Sequence, residues 1–218
     1  MPSMTQPFRL VVGISGASGV IYGIRLLEVL STVSHVETHL VMSPAARQTI
    51  MLETDWAPGD VEALADERYR FGDIAASISS GSFPIDAMAV VPCSMGTLSA
   101  IALSSSDNLL ERAADVALKE RRRLVLVPRE APLHLGHLRL MAQVTEMGAI
   151  VCPPSPGFYT RPTTLAELID HTVGRLIDTI GIRLDLDLAA RWDGPDDRRE
   201  EKREAKREAK RRGGAATD

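Results

Sequence analysis

The run Phe8-Arg9-Leu10-Val11-Val12-Gly13-Ile14 passes directly into Ser15-Gly16-Ala17-Ser18-Gly19 and then into Val20-Ile21-Tyr22-Gly23-Ile24-Arg25-Leu26-Leu27-Glu28-Val29-Leu30. The first piece is short and mainly apolar, which predicts a buried strand over 8–14. The last piece carries Ile21, Ile24, Leu27 and Leu30 at helical spacing, which predicts a helix over 20–30. Between them lie five residues, Ser15 to Gly19, all glycine, serine or alanine. Strand, small-residue loop and helix in that order is the unit from which parallel α/β sheets are built.

The unit recurs. A β-like run over 36–42 leads into Ser43-Pro44-Ala45-Ala46, where serine suits a helix N-cap and proline the first helical turn. Strands are predicted over 87–92, 124–127 and 149–152, and helices over 109–120, 133–147 and 164–180. Residues 74–82 are small and hydroxylated, as in a loop passing close to a ligand or neighbouring backbone, or in an ordinary connection. Apolar strands alternating with helices imply a three-layer α/β/α, Rossmann-like (flavodoxin-like) domain with a mainly parallel sheet and right-handed crossovers. Ligands of such sheets bind beyond the carboxyl ends of the strands, so the loops at Gly16, Ser43, Ser94 and Arg129 are expected to converge.

Composition bounds the reading. A chain of 218 residues, 44% hydrophobic and 25% charged, suffices for one substantial core. We expect a domain over 1–192 and a charged tail over 193–218, a mobile helix or disordered. The formal net charge is −4, with basic residues dispersed until the tail, which argues against nucleic acid as the main partner. No apolar run approaches the roughly 20 residues of a membrane-spanning helix, and the first six residues lack the features of a secretory signal. Cys93 and Cys152, both in apolar runs and outside any ligand cluster, fit a reduced cytoplasmic setting.

The loop Gly13–Gly19 offers backbone N–H groups at a helix N-terminus, where a phosphate is favoured. Its spacing is neither the dinucleotide G-x-G-x-x-G nor the G-x-x-x-x-G-K-[ST] loop, so it points away from a standard NAD site and from ATP hydrolysis. Pro92-Cys93-Ser94-Met95-Gly96-Thr97 gives a second hydroxyl-rich turn after a strand. Cys93 reads as a buried structural thiol rather than a nucleophile. Lys119, Arg129, Glu130, Tyr159 and Arg175 form a dispersed set able to build an anion pocket with one acid/base, if the fold unites them. Arg129-Glu130 sits just past a predicted strand, in a loop stiffened by Pro128 and Pro132. His134 and His137 supply two ligands at most, and read as structural or surface residues rather than a zinc site.

These blocks resemble the UbiX/Pad-type flavin prenyltransferases over nearly everything from Leu10 to Trp192. The resemblance is carried by Gly13–Gly19, Ser77-Ile78-Ser79-Ser80-Gly81-Ser82-Phe83, Pro92-Cys93-Ser94, the run from Arg112 to Glu120, Leu126-Val127-Pro128-Arg129-Glu130-Ala131-Pro132 and Pro153-Pro154-Ser155-Pro156-Gly157-Phe158-Tyr159. It implies that Gly16, Ala17, Ser18, Ser43, Ser94, Met95, Gly96, Thr97 and Arg129 hold FMN. It implies also that Lys119, Arg129, Tyr159 and Arg175 bind the phosphate of dimethylallyl phosphate. Catalytic roles would fall to Glu130, Glu53, Ser18 and Lys119.

By the same resemblance the dimethylallyl group joins N5 and C6 of reduced FMN without a metal, phosphate leaves, and prenylated FMN passes to UbiD-type decarboxylases. Such enzymes form homo-oligomers, dodecamers, with sites between subunits. Pro44 stands where many relatives carry lysine, and the charged tail is unusual. Two other readings of the same fold are a flavin-dependent cysteine decarboxylase and a flavoprotein that merely carries flavin.

Overall fold

The computed structural model describes residues 6–184 and Leu188. The charged tail expected over 193–218 lies outside the described residues, as does Trp192.

Six strands form one sheet: β1 (Phe8–Ile14), β2 (Val36–Met42), β3 (Glu67–Tyr69), β4 (Ala87–Cys93), β5 (Arg123–Pro128) and β6 (Ile150–Val151). The order is β3-β2-β1-β4-β5-β6, and every pairing is parallel. Helices α1 (Val20–Leu30), α2 (Pro44–Glu53), α3 (Pro58–Ala63), α4 (Met95–Ala102), α5 (Leu109–Lys119), α6 (Leu135–Glu146) and α7 (Leu165–Ile180) connect them. The expected three-layer α/β/α architecture is therefore present, with the sheet parallel throughout.

Period-two alternation sorts each strand between two cores. Leu10, Val12 and Ile14 of β1 join Ala87, Ala89 and Val91 of β4 under α1 and α7. Val11, Met88, Val90, Leu124 and Leu126 face the other way, against α4 and α5. Because β1, β4 and most of β5 are buried on both faces, they carry almost no polar residues. Helix starts are set by side-chain caps: Ser43 accepts from the Ala46 N–H, Asn108 from Glu111 and Thr164 from Glu167.

Three elements depart from the sequence expectation. Helix α3 and strand β3 fall in the acidic stretch after α2, and α4 begins where the sequence shows only a hydroxyl-rich turn. Strand β3 has three residues at the sheet edge, too few to display a periodicity.

Candidate active site

In this strand order the chain winds outward from β1 in one direction and from β4 in the other, which opens a crevice beyond their carboxyl ends. Ser15 ties the two loops together there. Its Oγ donates to the Pro92 carbonyl at 3.0 Å and accepts from the Ser94 N–H at 2.7 Å, and the residue is 1% exposed. Gly16 follows, pressed so closely on α2 that a β-carbon would overlap Cβ of Ala45. The Ser43 N–H donates to the Ile14 carbonyl at 3.0 Å, drawing the loop after β2 into the same place.

Helices α1, α2 and α4 thus direct their N-termini at one crevice, where their dipoles favour an anion. At α1 the anion is supplied from within: Glu53, the last residue of α2, accepts from the Gly19 N–H at 2.8 Å. Gly19 has a φ of 95°, a left-handed conformation suited to glycine. The Glu53 carboxylate thus stands at the loop where the sequence suggested a phosphorylated ligand.

At α4, Ser94 caps with its hydroxyl on the Thr97 N–H at 3.2 Å and Thr97 Oγ1 at 3.1 Å. The Met95 and Gly96 N–H groups and the Ser18 hydroxyl have no hydrogen-bond partner among the described residues. Neither has the exposed guanidinium of Arg129, whose own N–H reaches the Cys93 carbonyl at 3.4 Å. Glu130 is exposed beside it, accepting from the Ala131 N–H at 3.0 Å. Gly16, Ala17, Ser18, Ser43, Glu53, Ser94, Met95, Gly96, Thr97, Arg129 and Glu130 therefore lie at one end of the sheet. Helix N-termini, uncommitted N–H groups and a free guanidinium suit an FMN phosphate.

Tyr159 and Arg175 belong to a second group. Arg123 at the start of β5 donates to the Thr179 carbonyl at 3.2 Å, so α7 runs back antiparallel to the strands. Arg175 sits on the exposed side of α7, near enough to Cys152 to oppose the upward push that burial gives the Cys152 thiol. Tyr159 contacts His171 of the same helix through a 2.8 Å hydrogen bond.

Lys119 lies elsewhere. It ends α5, four residues before β5 begins, whereas Glu130 follows the end of β5, so about 20 Å of strand separates their levels. Lys119 pairs with Glu120 and holds that carboxyl below its usual range. Around it gathers the 77–83 segment: Arg112 Nε donates to the Ser79 carbonyl at 3.1 Å, and Arg122 donates to the carbonyls of Gly81 and Phe83 at 2.7 and 2.8 Å. A β-carbon on Gly81 would overlap the Lys119–Glu120 pair. One chain, then, brings together the crevice residues and keeps Lys119 apart from them.

Sequence reasoning assigned no separate role to Ser15, Arg112 or His171. Ser15 and Arg112 stand inside the motif blocks, but only three-dimensional contact shows what each side chain touches. His171 is masked in the sequence by its place on an amphipathic helix.

Cys93 is buried, and burial pushes its thiol well above the ordinary range, which fits a structural thiol. His134 caps α6, its Nδ1 accepting from the Gly136 N–H at 3.0 Å, and its ring lies tilted against that of His137, centroids 3.6 Å apart. Among the described residues no group of three histidine, cysteine or acidic side chains is placed to hold a metal, and no helix is long and apolar enough to cross a membrane.

Comparison with known proteins gives a consistent result. The Flavoprotein family model matches residues 1–178. The flavin prenyltransferase UbiX of Escherichia coli K12 is 61% identical over 186 residues, 85% of this chain and 98% of that protein. The crystal structure of AnUbiX (PadA1) in complex with FMN and dimethylallyl pyrophosphate superposes with a TM-score of 0.83 at 50% identity, covering 88% of this chain and all of that one. The dodecameric FMN-dependent Ubix-like decarboxylase of E. coli O157:H7 gives a TM-score of 0.82 at 48% identity, covering 85% of this chain and all of that one.

Proposed function

Because this chain belongs to the Flavoprotein family, among its UbiX-type flavin prenyltransferases, we propose that it joins the dimethylallyl group of dimethylallyl phosphate to N5 and C6 of reduced FMN, releasing phosphate. The observation that carries this reading is the crevice at the β1/β4 junction, where backbone donors of α4 and the Arg129 guanidinium, uncommitted among the described residues, are available to an anion. Reduced FMN supplies the nucleophilic ring atoms. The chain's own residues have four tasks.

Ser15 fixes the two loops, and Gly16, Ala17, Ser18, Ser43 and residues 94–97 hold the flavin against them. Arg129 neutralises phosphate charge as the allylic C–O bond breaks, together with Tyr159, Arg175 and Lys119; preorganised donors of this kind are worth most where charge develops. Glu130 moves the protons that the second bond and the leaving phosphate require. Glu53, held on the Gly19 N–H, orients the flavin edge.

Since Lys119 lies a strand's length from Arg129, we read the complete site as one shared between copies in a homo-oligomer, a dodecamer. Prenylated FMN then serves a UbiD-type decarboxylase, and the enzyme works in the cytoplasm. The test is anaerobic incubation with reduced FMN and dimethylallyl phosphate, followed by mass spectrometry of the released flavin. A flavin heavier by one dimethylallyl group is expected; well-folded protein that yields none refutes the proposal. A parallel incubation with dimethylallyl pyrophosphate decides which donor is preferred.

A further inference from the structure

The turn around Gly81 is pinned from outside by guanidiniums. Arg112 Nε donates to the Ser79 carbonyl at 3.1 Å, and the two terminal nitrogens of Arg122 fork to the carbonyls of Gly81 and Phe83 at 2.7 and 2.8 Å. Within the segment the Phe83 N–H donates to the Ser80 carbonyl at 3.2 Å, closing the turn. Arg122 is itself fixed at its base, where its N–H donates to the Ala117 carbonyl at 2.8 Å, back into the last turn of α5. A planar fork on two carbonyls holds the turn in direction as well as in distance.

Against this turn rests the Lys119–Glu120 pair. A β-carbon on Gly81 would come within 2.6 Å of Lys119 Nζ and would overlap the Glu120 carboxylate. Gly81 has no left-handed φ, so glycine stands there for close approach rather than for its backbone angle. The side chains of the pair are 44% and 36% exposed, and an exposed ion pair contributes little stability. What the arrangement supplies is position. A lysine on an open surface gives up its rotamer freedom when it binds an anion, and that loss is subtracted from affinity. Here the ammonium lies on a pinned turn and is still reachable from solvent.

We propose that Gly81 and Arg122 are positioning residues for Lys119: Arg122 pins the turn, and the bare Cα of Gly81 gives the Lys119–Glu120 pair a fixed seat, from which the ammonium meets the allylic phosphate in the crevice of a second copy. This deepens the proposed function, resting on the reading of Lys119 as a phosphate-binding group. It assigns a role to two residues that act on the phosphate only through Lys119.

The experiment uses the full chain and reads the KM for dimethylallyl phosphate, kcat and Tm. Gly81→Ala is the central variant, because the atoms it displaces are the far ends of two flexible, exposed side chains. Its Tm should stay within about 2 °C of wild type. Its KM should rise about fivefold, the fold-change that ordering one long side chain is worth, with kcat within about twofold because saturating substrate draws the ammonium back. Arg122→Lys should raise KM alike, since an ammonium cannot fork to both carbonyls. Lys119→Met should raise KM by at least about tenfold, and adding Gly81→Ala to it should add less than about twofold.

An unchanged KM in Lys119→Met refutes the reading of Lys119 on which the inference stands. With KM raised in Lys119→Met, an unchanged KM in Gly81→Ala or in Arg122→Lys overturns the inference alone. So does a Gly81→Ala effect that persists in full once Lys119 is gone, or one that appears as a fall in Tm with KM unmoved. Wild-type protein that makes no prenylated flavin refutes the proposed function instead.

Discussion

Replacing Ser15 by alanine tests whether the β1/β4 junction organises the flavin site. The hydroxyl makes two hydrogen bonds, to the Pro92 carbonyl and from the Ser94 N–H, at a position almost sealed from solvent. After substitution the Pro92 carbonyl still accepts from the Ser15 N–H at 3.2 Å, but the Ser94 N–H loses the acceptor it has. The first loss costs about 1 kcal/mol, and the stranded N–H about 1–3 kcal/mol more, so roughly 2–4 kcal/mol of stability should disappear. For a domain of this size that lowers Tm by about 4–16 °C.

Ser94 also caps α4 and immediately precedes the uncommitted donors of Met95 and Gly96, so misplacing it should weaken FMN binding by about tenfold, or 1.4 kcal/mol. Thermal melts of flavin-free protein and titration of flavin fluorescence read the two effects. Ser18→Ala is the contrast. The Ser18 hydroxyl has no partner among the described residues, so its loss should leave Tm within about 1 °C while impairing flavin positioning. A Ser15→Ala protein with unaltered Tm and FMN affinity, or a Ser18→Ala protein destabilised as much, would refute the reasoning.

Glu130→Gln keeps the side chain's size but not its proton exchange, and should slow adduct formation by about 10²–10⁴ at saturating substrates with flavin binding retained, measured in single turnovers. If Lys119 of one copy completes the site of another, co-expressing Lys119→Ala with Glu130→Gln should give mixed oligomers more active than either variant alone; activity at the level of the singles would place the whole site within one chain. A thiol-alkylating reagent at pH 8 should leave Cys93 unmodified in native protein and label it only on unfolding, by peptide mass analysis, because burial keeps its thiol protonated. Burial also lowers the proton affinity of His39, outweighing Glu37 and Glu67, so the unfolded chain binds the proton more readily. Stability is therefore full above pH of about 6.5 and falls as pH drops through that value, and His39→Gln should flatten the decline in Tm between pH 7.5 and 5.5.

Most of the fold was legible because its strands are buried on both faces. Leu10–Ile14 and Ala87–Val91 have no solvent-facing positions to interrupt an apolar run, and the helices between them begin at capping residues such as Ser43 and Thr164. Strand β3 was not legible, for its three residues are held by pairing with β2 rather than by burial of their own. The convergence at the crevice was legible for a topological reason: a parallel sheet sends every strand-to-helix loop to one edge, so Gly16, Ser43, Ser94 and Arg129 had to meet. Lys119 obeys the same rule in reverse. It stands at a helix-to-strand connection, and in a sheet of this kind those connections gather at the opposite edge, with the 77–83 segment held on Arg112 and Arg122 beside it. Contacts such as Tyr159 with His171 follow no rule of topology, because they depend on how a loop after β6 folds onto α7 and on the absence of a side chain at Gly157. The sheet thus separates two sets of conspicuous residues that one phosphate would need together. On the proposed function, a second copy presenting its helix-to-strand edge to the crevice of the first would reunite them without any change of fold.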